Sequence, residues 1–349
     1  VQEMEAMGIP VVHNQSDYGL KWETAEDVVK HIKENTPIRD EVPDLLTCTG
    51  KRILINTHSN LNVTAGDTIM VSNLVNSLTA RDNDVVVVAT HSDGLFRRNL
   101  VHKDRCHSVP VGTSRSEVMA ALDKYSDGAD LVFIRNHNIL PDMRTKSYLY
   151  KTVFYGLDVH AKGLGCMNNQ FHRVITQSEQ LKDTLVSAGV AERKVTILEP
   201  IAYKYDFKLP ERNDNEVRLI YCGTLRDEEN ILEIIEEFQK IRKERPEVFL
   251  KIVYGKIHGD AAFTRNINEH IENGVEGITF KHNLSHREAC YEIATSDIGI
   301  CWRKNGWGEN GEISTKVKEY EMYKLEILND MKIKVGVVTP TNKLNKIDN

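Results

Sequence analysis

The 349-residue sequence lacks several features that would assign it to a class at once. No apolar run approaches the roughly 20 residues that a membrane-spanning helix needs. No signal-peptide pattern follows Val1, and no low-complexity tract is present. The formal net charge of −6 argues against a general nucleic-acid-binding protein, which needs a basic face. These absences predict a cytoplasmic, globular protein that binds no nucleic acid, with peripheral membrane contact left open.

Cysteines are few and scattered, which argues against a disulfide framework or a zinc module. None of the six has the paired spacing of metal ligands. His102, Cys106 and His107 lie close together, but they fall in a polar connector without a second pair, so we interpret them as unrelated surface residues. The sequence therefore predicts a reducing compartment, no metal site and no cofactor.

Apolar segments of strand length alternate with helical patterns along most of the chain. A strand at 52–56 leads through a polar loop to Gly66, and the following apolar residues recur at helical spacing. That order is the opening of a doubly wound α/β domain. Further strands are predicted at 85–89, 131–135, 152–155, 174–176 and 195–198. They are continuous apolar runs, as a parallel sheet covered on both faces requires.

A second unit of the same kind follows a polar, proline-bearing crossing at 199–216. Strands are predicted at 217–222, 248–254 and 298–302. We predict two doubly wound Rossmann-like domains, 51–200 and 201–349, facing across a cleft where ligands bind. Residues 1–50 are predicted to complete the second domain and to supply a linker.

One stretch, GWGENGEISTKVKEYE at 306–321, carries the clearest chemistry. Ser314 and Thr315 open a helix whose unpaired N–H groups suit a phosphate, and Lys316 adds a cation. Glu312 and Glu319 flank that turn with carboxylates that accept hydrogen bonds from hydroxyls. The set suits a nucleotide-diphosphate sugar, and the alternative is a well-capped surface helix. GWGENG also matches the dinucleotide fingerprint, but a lone match outside the opening unit is weak.

The order of these pieces resembles the GT-B glycosyltransferases, specifically the large retaining family that uses nucleotide-diphosphate sugars. The resemblance covers roughly residues 51–322 and rests on four segments: 52–78, 151–160, 172–200, and 219–238 with 314–321. The sequence departs from the pattern in three places. First, the basic residue expected at Thr224 and the lysine expected near Glu229 are missing. Second, the family's histidine falls at Tyr155, with His160 slightly further on. Third, Glu312 is one position off the first acid of the family's pair.

What this resemblance implies for the site can be stated residue by residue. Arg226 and Lys316 would neutralise the diphosphate, while Glu319 would hold the ribose and Glu312 the sugar. Transfer would retain anomeric configuration and need no metal. The implied donor-binding residues are Gly66, Gly223, Arg226, Ser314, Thr315, Lys316 and Glu319. The implied catalytic residues are Glu312 together with Tyr155, Asp158 and His160 on the acceptor side.

Three functions compatible with this fold stay open at this point. The leading hypothesis is a glycosyltransferase of polysaccharide biosynthesis, with a nucleotide-sugar donor and a glycan or other acceptor. A nucleotide-sugar epimerase would need acid–base groups converging on the sugar. A non-catalytic nucleotide-sugar-binding module is kept open by Tyr155, which stands where the family has its histidine.

The two ends of the chain fit the resemblance poorly. Residues 5–14 look like the family segment that follows an EYE-type helix, yet 319–321 is followed by other residues. The chain is interpreted as permuted, as excised from a multi-module protein, or as carrying that segment at 335–342 after an insertion. We favour residues 1–35 packing on the second domain.

Overall fold

The computed structural model describes residues 42–62, 66–90, 95–167, 169–211, 215–304 and 313–331. The predictions for residues 1–35 and for 335–342 lie outside these ranges, as does the whole glycine-rich loop at 306–312. The two sheets described below lie within the segments that the sequence analysis assigns to the first and second domain.

The first half of the chain forms a seven-stranded, all-parallel sheet in the order β3-β2-β1-β4-β5-β6-β7. Its core is divided by the sheet: Leu54 and Val86 pack on one face, and Ile53 and Val85 on the other. Both faces are therefore covered, which explains the continuous apolar strands. The strands are β1 Arg52–Thr57, β2 Asp84–Thr90, β3 Cys106–Val111, β4 Leu131–Ile134, β5 Thr152–Tyr155, β6 Arg173–Thr176 and β7 Val195–Ile197. The helices are α1 Gly66–Thr79, α2 Leu95–Asn99, α3 Arg115–Ser126, α4 Leu140–Met143, α5 Asp158–Gly165 and α6 Glu179–Ser187.

The second half forms a five-stranded parallel sheet in the order β12-β10-β8-β13-β14, with a separate short pair, β9 and β11. Apolar clusters again cover both faces. The strands are β8 Val217–Cys222, β9 Leu225–Arg226, β10 Val248–Tyr254, β11 Ile257–His258, β12 Ile278–His282, β13 Ile298–Ile300 and β14 Glu326–Leu328. The helices are α7 Ile231–Glu244, α8 Ala261–Asn273, α9 His286–Ala294 and α10 Thr315–Met322. The predicted α/β class with two parallel-sheet units is confirmed.

The segment that joins the halves has no helix or strand at 198–211. It is nevertheless well packed. Tyr205 is buried, and its ring lies 5.4 Å from the imidazole of His286 in the second half. The ring of Phe207 meets Tyr291 edge-on and lies tilted beside Tyr323. The joining segment therefore has fixed contacts with the second half along its aromatic residues.

The interpretation of Cys106 as a surface residue is wrong. Cys106 begins β3, which pairs with β2 at the edge of the first sheet, and its side chain is buried. Burial raises the pKa of the Cys106 thiol to about 12, so the thiol stays protonated. Several elements were not predicted, among them α8, β12 and β14, whose short or amphipathic apolar patterns are interrupted by charged residues. In the part of the chain that the structure describes, no helix combines the length and the apolar character needed to cross a bilayer.

Candidate functional site

A cavity of about 410 Å³ opens between the two halves, at the carboxyl ends of their parallel strands. Residues directly after β1, β4 and β5 line one wall, and residues after β8 and β10 line the other. Nine of the eleven predicted site residues line it: Gly66, Tyr155, His160, Gly223, Arg226, Ser314, Thr315, Lys316 and Glu319. Glu312 lies outside the described residues. Asp158 is the first residue of α5, and its side chain is not described.

Two helix N-termini meet at this cavity. Helix α1 begins at Gly66 in the first half and α10 begins at Thr315 in the second. A Cβ atom placed on Gly66 would lie 3.7 Å from Thr315 Oγ1, so the two ends almost touch. Ser314 is the residue before α10, with extended backbone angles, and its side chain makes no capping hydrogen bond. Unpaired N–H groups and the positive ends of two helix dipoles thus converge on one space.

Lys316 reaches into the cavity from the first turn of α10, and a carboxylate accompanies it. Its Nζ lies 2.5 Å from Glu229 Oε2 and 4.6 Å above the ring of Tyr221. Both charged side chains are largely buried, at 12% and 9% exposed. Gly223 makes room for them, because a Cβ there would come within 3.1 Å of Nζ. A lysine in the first turn of a helix is unfavourable by itself, and Glu229 supplies the anion that stabilises it.

Sequence reasoning missed Glu229, although a signal was available. The resemblance places a lysine near this position, and an acid there next to a predicted cation suggests an internal ion pair.

Arg226 lies in β9 with its side chain half-buried at the cavity. Its Nε is buried and has no hydrogen-bond partner among the described residues. Lys256 and Arg303 line the same cavity, and neither was predicted.

Glu319 is buried where α10 faces α9, and it contacts His286. Their Nε2 and Oε1 atoms are 2.7 Å apart, and Cys290 Sγ lies 3.3 Å from the same nitrogen. These three residue types could hold a metal, and their ligand atoms lie within 4.8 Å of one another. However, nitrogen and oxygen ligands of one tetrahedral zinc lie about 3.3 Å apart. The 2.7 Å separation is that of a hydrogen bond.

The first half contributes Tyr155, at the end of β5, to the opposite wall. Its hydroxyl accepts a hydrogen bond from Gln177 Nε2, and Arg135 lies over its ring at 5.6 Å. Gln177 Oε1 accepts from the backbone N–H of Ile313, 2.8 Å away, just before α10. Gln177 therefore links the two walls. A contact across 136 residues leaves no local pattern, so sequence reasoning could not find it.

His160 has the most defined protonation state in the site. The N–H of Leu157 donates to its Nδ1 at 2.8 Å, so the neutral ring carries its hydrogen on Nε2. That Nε2 is buried and unpartnered among the described residues. Burial, assisted by the nearby His137, Arg135 and His58, lowers the pKa of His160 to about 3. His160 is therefore a neutral hydrogen-bond donor facing the cavity.

Solved structures of the same shape identify the fold. HepE from Anabaena, crystallised with UDP-glucose, superimposes with a TM-score of 0.58 over 79% of each chain at 12% identity. Sucrose-phosphate synthase from Thermosynechococcus elongatus gives 0.54, over 79% of this chain and 80% of that one, at 13% identity. The chain has the GT-B fold.

GT-B architecture also includes a putative UDP-N-acetylglucosamine 2-epimerase from Listeria monocytogenes, with a TM-score of 0.53 at 14% identity. The superposition covers 81% of this chain and 79% of the epimerase. No protein-family model matches the sequence, and no curated protein matches it either. At such identities the comparison establishes the GT-B fold, and the activity has to be argued from the cavity.

Proposed function

We propose that the protein is a glycosyltransferase that moves a sugar from a nucleotide-diphosphate sugar to a glycan or another acceptor. One observation carries this proposal: the N-termini of α1 and α10 meet in a single cavity together with Arg226 and Lys316. Helix N-termini and fixed cations are what a diphosphate leaving group needs. Neighbours of the same fold were crystallised with UDP or UDP-glucose, which supports this class of donor.

The diphosphate is assigned to the space between the two helix N-termini. When it binds, Lys316 exchanges its contact with Glu229 for a contact with phosphate, and Arg226 contributes the second cation. As the bond from the anomeric carbon to the phosphate oxygen breaks, its electron pair stays on the diphosphate, while an acceptor hydroxyl oxygen bonds to the anomeric carbon and releases its proton to the departing diphosphate or to water. Cations and amides already in place stabilise that charge without reorganising. The proposed reaction therefore needs no added metal and no cofactor.

The remaining groups are assigned by their chemistry and by the wall of the cavity that they line. Glu319 accepts hydrogen bonds from ribose hydroxyls, and the amides at Gly223 and Ser314 lie beside the phosphates. His160 donates its Nε2–H to a sugar hydroxyl, with Tyr155 beside it on the acceptor wall. Glu312 and Asp158 are assigned to the sugar and the acceptor from the family resemblance alone, as is retention of configuration. A volume of about 410 Å³ is within the range of small-molecule sites.

A thermal-shift screen with nucleotide-diphosphate sugars tests the donor site. A donor present at 100 times its Kd stabilises the folded state by about 2.7 kcal/mol, which raises Tm by several degrees. We expect the shift to be lost in Lys316→Ala and kept in Lys324→Ala, a lysine after α10 that does not line the cavity. Equal shifts in both variants, or no shift with any nucleotide sugar, would contradict the proposal.

An epimerase is the second candidate, favoured by the imidazoles of His58, His137 and His160 at one wall of the cavity. The putative epimerase among the neighbours shares the fold. Incubating the protein with donor alone distinguishes the two activities. An epimerised nucleotide sugar formed without acceptor supports the epimerase, whereas transfer only when acceptor is added supports the transferase. Binding without turnover in either assay supports the non-catalytic module. We assign the protein to polysaccharide biosynthesis in the cytoplasm as part of the same proposal.

A further inference from the structure

His286, the first residue of α9, lies at a junction between both halves and the joining segment. Its side chain is fully buried. Nε2 lies 2.7 Å from Glu319 Oε1, and Nδ1 lies 3.0 Å from the Tyr205 hydroxyl. Its backbone N–H donates to Asn99 Oδ1 at 2.8 Å. Contacts with three parts of the chain thus hold His286. Its imidazole lies against a carboxylate that lines the cavity.

The hydrogen bonds around this imidazole are mutually consistent. An ionised carboxylate only accepts, so the hydrogen shared with Glu319 belongs to His286 Nε2. Nδ1 lies 3.0 Å from the Tyr205 hydroxyl, which also donates to the carbonyl oxygen of Asn99 at 3.3 Å. Oε1 of Glu319 is committed to His286, whereas Oε2 has no hydrogen bond within the described part of the chain. The carboxylate is therefore held in one orientation, with one oxygen left for a ligand.

We propose that His286 is a positioning residue that holds Glu319 for the ribose hydroxyls of the donor nucleotide, and that Tyr205 and Asn99 hold His286 in turn. This inference rests on the proposed function and states how that site recognises the ribose of the donor nucleotide. A carboxylate fixed by a buried partner binds a diol without losing rotamer freedom at the moment of binding.

Recognition of the ribose then depends on how the halves are arranged. Asn99 ends α2 in the first half, Tyr205 belongs to the joining segment, and His286 and Glu319 belong to the second half. If the halves separate, the backbone N–H of His286 loses Asn99, whereas the contact between His286 and Glu319 stays within the second half. The residue that carries the imidazole then loses its anchor in the first half, and this loss links binding of the nucleotide to the arrangement of the halves.

Pairs of nucleotides that differ by one hydroxyl test this directly. We would measure the Kd of UDP and 2′-deoxy-UDP, and of the ADP and GDP pairs, by calorimetry, and use the tightest pair. The wild-type protein is expected to prefer the ribonucleotide about 10-fold, as a hydrogen bond to a charged group predicts. His286→Asn should lower the preference to less than about 2-fold, because an asparagine amide reaches the position of Nδ1 but not of Nε2. His286→Gln should retain it, since its amide reaches the position of Nε2.

Matched variants keep the result interpretable. His107→Asn makes the same change at an exposed position on β3 and should leave the preference unaltered. If His286→Asn does not fold, Tyr205→Phe removes the support of Nδ1 and should give an intermediate preference. A wild-type preference that persists unchanged in His286→Asn or in Tyr205→Phe would overturn the inference and leave the donor site intact. Equal binding of both members of the pair by the wild type would do the same. Failure of the wild type to bind any of these nucleotides would instead refute the proposed function.

Discussion

At the scale of single residues, the pairing of Lys316 with Glu229 decides how an anion enters the cavity. The two side chains are buried together, and such a pair is costly to break because it leaves one charge uncompensated. In the proposed function, a diphosphate overcomes this by replacing Glu229 as the partner of Lys316. Glu229 is therefore a competitor of the proposed donor, as well as the group that stabilises the lysine when the cavity is empty.

Glu229→Gln tests that competition. Removing the carboxylate charge should tighten UDP binding about 5-fold, equivalent to ~1 kcal/mol, the charge–charge energy of two unit charges about 4 Å apart in water. The ligand-free variant should also unfold at a lower temperature, because Lys316 loses its anionic partner, and the Tm rise caused by UDP should be larger. Calorimetry and thermal unfolding measure both effects. Glu228→Gln, the same change at the exposed neighbour, is the control, and weaker UDP binding by Glu229→Gln would contradict the competition.

His160 makes stability depend on pH in a defined direction. Its pKa is about 3 in the folded protein and about 6.5 when unfolded, so the unfolded state binds more protons between these values. The free energy of unfolding therefore falls as pH decreases from about 6.5 towards 3. In His160→Gln this contribution disappears, so the stability advantage of the wild type should shrink by at most about 2 kcal/mol between pH 7 and pH 5. Urea unfolding at several pH values measures it, and parallel pH profiles of the two proteins would refute it.

At the scale of elements, the sheet positions the donor helix through one glycine. The ring of Tyr320 in α10 lies against Gly299 in β13, so closely that a Cβ there would come within 2.3 Å of ring atoms. The Tyr320 hydroxyl accepts from the N–H of Cys222 in β8. The position of α10, and with it of Lys316 and Glu319, depends on this contact.

Gly299→Ala should therefore affect both stability and binding. Overpacking a core contact costs about 1–3 kcal/mol, and the displaced helix carries the groups assigned to phosphate and ribose. We expect a lower Tm and at least a 10-fold loss of UDP affinity. Gly128→Ala is the comparison, because its Cβ would meet only the end of the Arg52 side chain. A Gly299→Ala protein with wild-type Tm and affinity would show that α10 is held by other contacts.

Elements with long apolar patterns were predictable, and contacts between distant elements were not. The sequence predictions match β5, β8 and β10 to the residue. The edge strand β3 was missed because its polar composition carries no apolar run. At the site, residue types next to a glycine or a helix start led to residues that line the cavity. Gln177 and His286 could not be assigned from local patterns, because the contacts that define them reach partners more than 30 residues away.

At the scale of the whole molecule, polar contacts hold the halves around the cavity. Gln177 joins Tyr155 to the backbone of Ile313, His286 joins Asn99 to Glu319, and Arg98 pairs with Glu288 at 3.2 Å. Polar interfaces between domains resemble transient protein–protein interfaces, so relative motion of the halves is expected. A donor that contacts both helix N-termini would favour the closed arrangement by binding it more tightly than an open one.

Gln177→Met tests whether this linkage keeps the cavity closed. Methionine has a similar volume, but it can neither donate to Tyr155 nor accept from Ile313, so the walls lose a direct connection. We expect small-angle X-ray scattering to show a larger radius of gyration without ligand and recovery with UDP. We also expect about a 10-fold lower kcat/KM for sugar transfer, since closure aligns donor and acceptor. Gln180→Met, at an exposed position of α6, should change neither quantity. If Gln177→Met scatters like the wild type and transfers sugar at the same rate, the other contacts between the halves are sufficient to hold the walls together.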